Sequence, residues 1–367
     1  MTPSELRVRA LLDSLHPTRE SSVWRAPGRV NVIGEHVDYA GGPVLPFACD
    51  RDVLAATEPL DGRVEFVSLD VPGEVAFELE DIGPLEGWGR YVGAVVEALR
   101  QAGEPVAGVR GVLSSTVPAG AGLSSSAALE AAIAMSVCGH VPDPKVLQRA
   151  EHLAVGVPCG VMDQVAVLHG RSGHAIRLDC AAVTWEHVPV GDGIGFVVVD
   201  TRTRRSLDDG RYAQRRQEVE AALAEARRRL GTPDPLTATA ADVRRLRLDE
   251  PLDRRLRHVV TECRRVADAT DALRDGDVRT LGELVAASQA SLRHDLDVSS
   301  PDLDRAVAVA TATDGCMGAR LVGAGFAGCV LAVVHADEAT AVATSIVATL
   351  GDADAYEVVP SDGAGPL

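Results

Sequence analysis

One stretch of the sequence, residues 118–132, combines two glycines with three consecutive serines in front of an alanine-rich segment. Gly120 and Gly122 allow a sharp turn and a close approach of the backbone to another group. The serines at 124–126 then stand at the mouth of a predicted helix, where free backbone N–H groups and the helix dipole favour an anion. The pattern predicts a loop that holds phosphate, although a serine-capped turn has the same composition.

The elements around this loop are a predicted strand over 109–116 and a predicted helix over 127–137. The loop differs from a Walker A motif because no Gly-Lys-Ser/Thr follows four residues after the first glycine. It also lacks the third glycine and the acidic residue of a dinucleotide fingerprint. Phosphate binding here would therefore require a different family of loop.

A second stretch, residues 24–39, alternates polar with β-branched side chains. Its valines and isoleucine predict a strand, and the segment 38–42 predicts a turn. Such an alternation is typical of the lining of a pocket for a polar molecule. Within the ten positions 29–38, the side chains that can ionise or donate are Arg29, Asn31, Glu35, His36 and Asp38.

Two further stretches place functional groups at element boundaries. Glu151 lies on a predicted helix over 145–155, and Asp163 follows a glycine-proline loop, where catalytic groups tend to lie. Within residues 318–329, Gly323, Gly325 and Gly328 lie beside a predicted strand, which indicates a second tight backbone approach. Two glycine-rich loops in the two halves of the chain suggest one ligand held between them.

The remaining pattern predicts a mixed α and β protein. We expect an exposed opening helix over 6–15, a meander of strands over 53–79 and a loop over 230–242. A helix over 88–101 carries Trp88 and Tyr91, which would either pack in the core or stack on a base. The other predicted elements are helices over 211–230, 259–273, 278–287, 303–311 and 338–350 and strands over 195–200 and 330–334.

Composition limits the classes of function. The 367 residues suffice for two domains, 46% of them are hydrophobic, and no apolar run approaches the length of a membrane span. A net charge of −17 disfavours a general nucleic-acid partner, since phosphate backbones require clustered Lys and Arg. Seven irregularly spaced cysteines argue against a disulfide framework or structural zinc. We expect a cytoplasmic protein with no membrane partner.

Three spaced motifs together resemble one family. Residues 28–39 resemble the galactokinase signature, residues 118–128 the phosphate loop of the GHMP small-molecule kinases, and residues 318–329 their third motif. The resemblance implies a two-domain α+β fold, the GHMP kinase fold, with the active site in the cleft between domains at 1–190 and 191–367. It also implies a monomeric, ATP-dependent and Mg²⁺-dependent kinase that phosphorylates the anomeric hydroxyl of galactose.

The resemblance implies site residues by position. Arg29 and Asp163 match the catalytic pair. The positions that contact the sugar are occupied by Glu35, His36, Asp38, Gly160 and Tyr212. The loop around the ATP phosphates is matched by Gly120, Ala121, Gly122, Leu123, Ser124, Ser125 and Ser126. The magnesium ligands are matched by Ser126 and Glu151.

Several positions depart from the usual family pattern and leave the substrate open. A modified hexose, an amino sugar or a pentose would be an alternative to galactose, and mevalonate or homoserine would be a more distant one. A non-catalytic sensor of sugar and ATP is a further alternative. Asp163 would act either as a general base or only to orient the hydroxyl. The departures are Val37, Ala40, Arg205, Gln289, Val322 and Ala327.

Overall fold

The computed structural model describes residues 3–15, 21–156, 158–204 and 210–367. Up to residue 190, the helices and strands are α1 (Pro3–Leu15), β1 (Ser22–Asn31), β2 (Pro43–Val44), β3 (Pro46–Pro59), β4 (Arg63–Ser68), β5 (Glu74–Glu78), α2 (Gly89–Ala102), β6 (Val109–Ser115), α3 (Ser125–Cys138), α4 (Pro144–Val155), α5 (Met162–His169), β7 (His174–Asp179) and β8 (Thr184–Pro189).

Beyond residue 190, the described elements are β9 (Ile194–Asp200), α6 (Arg211–Leu230), α7 (Ala240–Leu246), α8 (Leu252–Asp275), α9 (Val278–Ser291), α10 (Pro301–Ala312), β10 (Cys316–Val322), β11 (Cys329–His335), α11 (Ala339–Leu350), β12 (Asp354–Val358) and β13 (Gly365–Pro366). A π-helical segment, Leu292–Leu296, extends α9.

The first sheet has the strand order β13-β1-β3-β6-β4-β5. The predicted meander over 53–79 is wrong in its topology, because β4 pairs with β6 in parallel and not with β3. Helix α2 carries the chain back between β5 and β6, which lets β6 insert between β3 and β4. The final strand β13 pairs with β1, so the end of the chain returns to the first sheet.

Helix α3 explains how the serine-rich loop is held. It is buried along most of its length and packs against β1, β3 and the helices α2, α4 and α5. A helix that is apolar on all sides belongs in a core, where its position is fixed by contacts all round. The loop that precedes α3 therefore leaves the core at a fixed point.

A second sheet, with the order β10-β11-β9-β12, forms the centre of the other half of the molecule. Strand β9 is buried at every position, and helices α9, α10 and α11 pack against this sheet. Strands β2, β7 and β8 form a third, small sheet. Helix α8 packs against α6 and α9 and also reaches β2, so it touches the segment that follows β1.

Two sequence predictions are corrected by packing and capping. The opening helix α1 is not simply exposed, because Leu11 and Leu15 are buried with Leu54 and Val112 of the first sheet. The predicted loop over 230–242 contains the start of α7, where Thr239 and Asp242 form a reciprocal capping box. Within the described ranges, no helix is long and apolar enough to cross a membrane.

Candidate functional site

Arg29 and Asp163 meet where β1 and α5 approach each other. Arg29 lies near the end of β1, and Asp163 lies in the first turn of α5. The guanidinium Nη2 and Nε atoms are 2.7 and 2.9 Å from Asp163 Oδ1. The Arg29 side chain is 5% exposed and that of Asp163 is 29% exposed. The buried Arg29 guanidinium thus holds the Asp163 carboxylate in place, and that carboxylate remains partly accessible to solvent.

Ser124 ties this ion pair to the serine-rich loop. Its hydroxyl donates to Asp163 Oδ2, while Arg29 Nη1 donates to the carbonyl of Gly122. Ser124 has a left-handed conformation (φ 56°), and its side chain makes no capping bond to α3. The alternative of an ordinary serine-capped turn therefore does not describe this position, and the loop is joined directly to Asp163.

The glycines of the loop allow the two halves of the molecule to touch. Gly122 has φ +85°, and a Cβ atom there would lie 2.8 Å from the carbonyl oxygen of Val322. A Cβ on Gly323 would in turn lie 3.1 Å from the Cα of Gly122. The close approach predicted for residues 318–329 is therefore an approach to the backbone of the first glycine-rich loop. Ala121 and Leu123 point into the core, so only their backbone can reach a ligand.

The segment after β1 is held from the second sheet. Glu35 is buried, and its Oε1 accepts from Arg320 Nη2 at 3.1 Å and from the backbone N–H of Gly323 at 2.8 Å. Arg320 is fully buried in β10 and also donates to the carbonyls of Asn31 and Val32. The buried guanidinium of Arg320 thus links the end of β1 to the second sheet.

His36 lies at the centre of an aromatic group. Its backbone is left-handed (φ 61°), and its Nε2 lies 3.2 Å from the carbonyl oxygen of Ala324. Because a carbonyl only accepts, Nε2 carries the proton, and Nδ1 can accept from the Tyr39 hydroxyl at 3.1 Å. The Tyr212 ring, from α6, lies 5.5 Å from the His36 ring and 6.0 Å from that of Tyr39.

Asp38 and Gly160 are in direct contact. A Cβ on Gly160 would come within 1.8 Å of Asp38 Oδ2, so a side chain at position 160 would displace the carboxylate. Burial, with the neighbouring carboxylates of Asp163 and Glu35, raises the pKa of Asp38 to about 7, while the backbone N–H of Tyr39 and the charge of Arg29 lower it. Among the described residues, no cation forms an ion pair with Asp38. This carboxylate is therefore available to hydroxyl groups of a ligand.

A second group of carboxylates lies beside α3. Burial, together with the Asp163 carboxylate, raises the pKa of Glu151 to about 7, while the Ser126 hydroxyl and the Arg29 charge lower it. Glu130 is fully buried, and neither of its carboxylate oxygens has a hydrogen-bond partner in the described part of the chain. Hydroxyl and carboxylate oxygens are the ligands that Mg²⁺ prefers, so Ser126 and Glu151 fit such an ion.

The structure thus brings most of the predicted residues into two adjoining groups. Arg29, Asp163 and Ser124 join them, with the loop at 120–126 and Glu151 on one side and Glu35, His36, Asp38, Gly160 and Tyr212 on the other. Arg205 lies outside the described residues. The sequence analysis did not select Arg320 or Glu130. Each is a lone charged residue in an otherwise apolar segment, and that pattern could have indicated a buried functional charge.

Three family models match successive parts of the sequence. The galactokinase galactose-binding signature matches residues 16–59, the GHMP kinases N-terminal domain residues 90–171 and the GHMP kinases C-terminal domain residues 269–352. A galactokinase of Roseiflexus sp. is 41% identical over 85% of this chain and 83% of its own length. Galactokinases of Streptomyces coelicolor and Bos taurus are each 37% identical, over 96% and 98% of this chain and 96% and 95% of their own lengths.

The chain belongs to the galactokinase family. As a galactokinase-family enzyme, it is a kinase that phosphorylates a sugar hydroxyl with ATP as the other substrate. The family prediction made from the three motifs is confirmed.

Solved structures agree with the galactokinase-family assignment. The crystal structure of Lactococcus lactis galactokinase complexed with galactose is 29% identical and matches with a TM-score of 0.91 over the whole of both chains. The structure of a mevalonate kinase, at 18% identity, matches with a TM-score of 0.67 over 92% of this chain and 98% of that one. The predicted two-domain α+β GHMP kinase fold is confirmed.

Proposed function

We propose that this galactokinase-family enzyme transfers the γ-phosphate of ATP to the anomeric hydroxyl of galactose. The observation that supports this most is the junction of Arg29, Asp163 and Ser124 between the phosphate loop and the group around Asp38. A sugar held by Asp38, His36, Glu35, Gly160 and Tyr212 would meet the nucleotide at Asp163. The intact junction favours catalysis over a non-catalytic sensor.

Asp163 acts on the acceptor hydroxyl in this proposal. Its carboxylate accepts the hydroxyl hydrogen and takes the proton as the oxygen–phosphorus bond forms and the bond to ADP breaks. Arg29 balances the charge of the carboxylate, and Ser124 fixes its orientation. Because the transition state of phosphoryl transfer is usually loose, this positioning counts for as much as proton removal.

Ser126 and Glu151 would hold Mg²⁺ in this proposal. The ion, when bound, neutralises charge on the phosphate oxygens. Glu151→Gln is expected to weaken binding of ADP with Mg²⁺ by about tenfold or more, because a carboxylate ligand is lost. Binding of ADP without the metal should change little. Titration calorimetry with and without Mg²⁺ measures both, and equal weakening in the two titrations would contradict the assignment.

Asp38 predicts a pH dependence of sugar binding. Its pKa is about 7, so it gains a proton as the pH falls through that value and loses an acceptor for sugar hydroxyls. The KM for sugar is therefore expected to rise below about pH 7, and Asp38→Asn should show a high KM without this dependence.

The same carboxylate predicts an effect on stability. A raised carboxyl pKa means that ionisation disfavours the folded state, so stability is lost as the pH rises from the ordinary carboxyl pKa of 3.8 to about 7. The melting temperature of Asp38→Asn should exceed that of the wild type increasingly across this interval. If the KM of the wild type for sugar does not change with pH around 7, Asp38 does not take part in sugar binding.

The departures from the family pattern bear on the choice of sugar. Val37 is fully buried in the core that also contains Val44, so it does not line the pocket. Gln289 accepts from the backbone N–H of Leu321 through its side-chain oxygen. Because these two side chains are taken up by core contacts, neither position argues for an altered sugar in place of galactose.

A coupled assay of ADP release tests the proposed function. Hexoses, hexosamines and pentoses are each supplied with Mg-ATP, and the kcat/KM is expected to be highest for galactose. Turnover that is faster with another sugar would replace galactose but retain the reaction. Absence of turnover on every free sugar, in protein that binds ATP, would contradict the reaction itself.

We also propose the division into domains at 1–190 and 191–367. It is supported by the separate sheets on either side, although β13 returns to the first sheet. The monomeric state and the cytoplasmic location remain predictions, which sedimentation analysis and cell fractionation would test.

A further inference from the structure

Helix α8 touches the segment that carries Glu35 and His36 through two buried side chains. The Glu262 carboxylate oxygen Oε1 accepts from the backbone N–H of Gly34 at 2.9 Å. The His258 ring nitrogen Nε2 lies 3.0 Å from the carbonyl oxygen of Glu35. Both side chains are fully buried, so neither touches a ligand in the cleft directly.

These two contacts fix the peptide group that enters Gly34 and the peptide group that enters His36. One holds the N–H of Gly34, whose φ of +103° is a conformation suited to glycine. The other holds the carbonyl of Glu35, which belongs to the peptide bond that enters His36. His36 has φ 61°, and a left-handed conformation outside glycine persists only where its surroundings impose it. The hydrogen bond from His258 is such a constraint.

The two side chains are themselves held in place. Glu262 Oε1 also accepts from the Ser288 hydroxyl at 2.7 Å, and its Oε2 accepts from Arg265 Nε at 2.7 Å. His258 Nδ1 lies 2.9 Å from the Ser291 hydroxyl oxygen. Because the Glu35 carbonyl accepts, His258 carries a proton on Nε2. The Ser291 hydroxyl, which His258 Nδ1 contacts, also lies 3.1 Å from Asp295 Oδ2 and is held there.

The electrostatics of the group agree with this arrangement. Burial alone would raise the pKa of Glu262, but Arg265, His258 and Arg320 together lower it to about 2. Burial lowers the pKa of His258, which favours the neutral ring. At neutral pH, Glu262 is therefore a charged acceptor for the Gly34 N–H, and His258 is a neutral donor to the Glu35 carbonyl.

We infer that Glu262 and His258 are positioning residues for sugar binding, which act from the C-terminal half of the chain by fixing the backbone around Glu35 and His36. The inference rests on the proposed role of these two residues in the sugar site. It assigns a function in specificity to helix α8, which contributes no group to the reaction.

Two substitutions test the inference by separating the two substrates. His258→Leu removes the donor to Glu35, and Glu262→Ala removes the acceptor for Gly34. Each is expected to raise the KM for sugar by about tenfold, the usual cost of leaving a buried polar group without its partner. The KM for ATP should change by less than about threefold, since the phosphate loop is untouched.

Conservative variants and a matched control accompany this measurement. His258→Gln can donate to Glu35 and should keep the KM for sugar within about threefold of wild type. Thr270→Ala removes a buried hydroxyl whose partner, among the described residues, is the Val266 carbonyl of the same helix, so it should lower stability without changing that KM. If Glu262→Ala does not fold, Glu262→Gln replaces it in the test. The KM for sugar is then expected to rise by about threefold, because the amide group of glutamine would place a donor against the Arg265 guanidinium.

The outcomes separate this inference from the proposed function. Turnover of sugar by the wild type tests the function, and the ratio of variant to wild-type KM tests the inference. Equal changes in the KM values for sugar and ATP, or a loss of kcat alone, would indicate a merely structural role for α8 and overturn the inference. Failure of His258→Gln to restore sugar binding when His258→Leu has lost it would also overturn it.

Discussion

Replacement of Asp163 by asparagine is expected to lower kcat by at least about 10²-fold, the lower range for loss of a general base. Asparagine keeps the size of the side chain, and its oxygen can still accept from Arg29. It cannot take a proton from the acceptor hydroxyl, and its amide group would face the Ser124 hydroxyl that now donates to Oδ2. Steady-state kinetics with galactose and Mg-ATP measure the change.

The KM values separate catalysis from binding in this variant. Both are expected to stay within about threefold of wild type, because the interaction acts mainly in the transition state. Asp61→Asn, in an exposed turn between β3 and β4, is the matched control and should keep wild-type kcat. Wild-type turnover by Asp163→Asn would remove Asp163 from the mechanism, and a kcat loss below tenfold would favour a role in orientation alone.

Replacement of Gly160 by alanine is expected to have the largest effect on sugar binding. A Cβ at this position would lie 1.8 Å from Asp38 Oδ2, so the carboxylate must leave its present place. A displaced acceptor breaks the fixed geometry by which a pocket recognises hydroxyl groups. The KM for sugar should therefore rise by about tenfold or more, the cost of a lost charged hydrogen bond.

A control separates this local clash from a general effect of alanine. Gly193→Ala has open space around its Cβ, so it should leave both KM values unchanged. The KM for ATP should also be nearly unchanged in Gly160→Ala. A wild-type KM for sugar in this variant would mean that Asp38 can move without cost, and its place in the proposed sugar site would then be lost.

Most helices and strands were predictable, because the sequence patterns that indicate them extend over only a few neighbouring residues. The strand and helix around the serine-rich loop occur as β6 and α3, and the predicted helix over 211–230 is α6. Alternation, apolar periodicity and glycine positions set local backbone preferences. The folded chain adopts these preferences where the packing of the core is compatible with them.

Topology was less predictable for a physical reason. The strand pattern over 53–79 is compatible with several pairings, and only the crossover through α2 places β6 beside β4. The burial of Leu11 likewise depends on a sheet surface formed by later strands. Sequence periodicity identifies an apolar face but does not identify what covers it.

The contacts that shape the candidate site were the least predictable. Glu35 and Arg320 are 285 positions apart, and Gly34 and Glu262 are 228 apart. No local pattern links such pairs, since their meeting depends on how the two halves pack. The lone charges in apolar segments were a usable signal for Arg320 and Glu130, but they did not identify the partners.

The sequence by itself determined which chemical groups are candidates for the site: the glycines and serines of the loop at 120–126, the Arg29 and Asp163 pair and the polar run after β1. These groups could be proposed because motif spacing is a local property of the sequence. Only the tertiary structure decided that Ser124 binds Asp163, that the third glycine motif closes on the phosphate loop and that α8 holds the backbone around Glu35. Each of these depends on long-range packing, in which buried polar groups must find partners far along the chain.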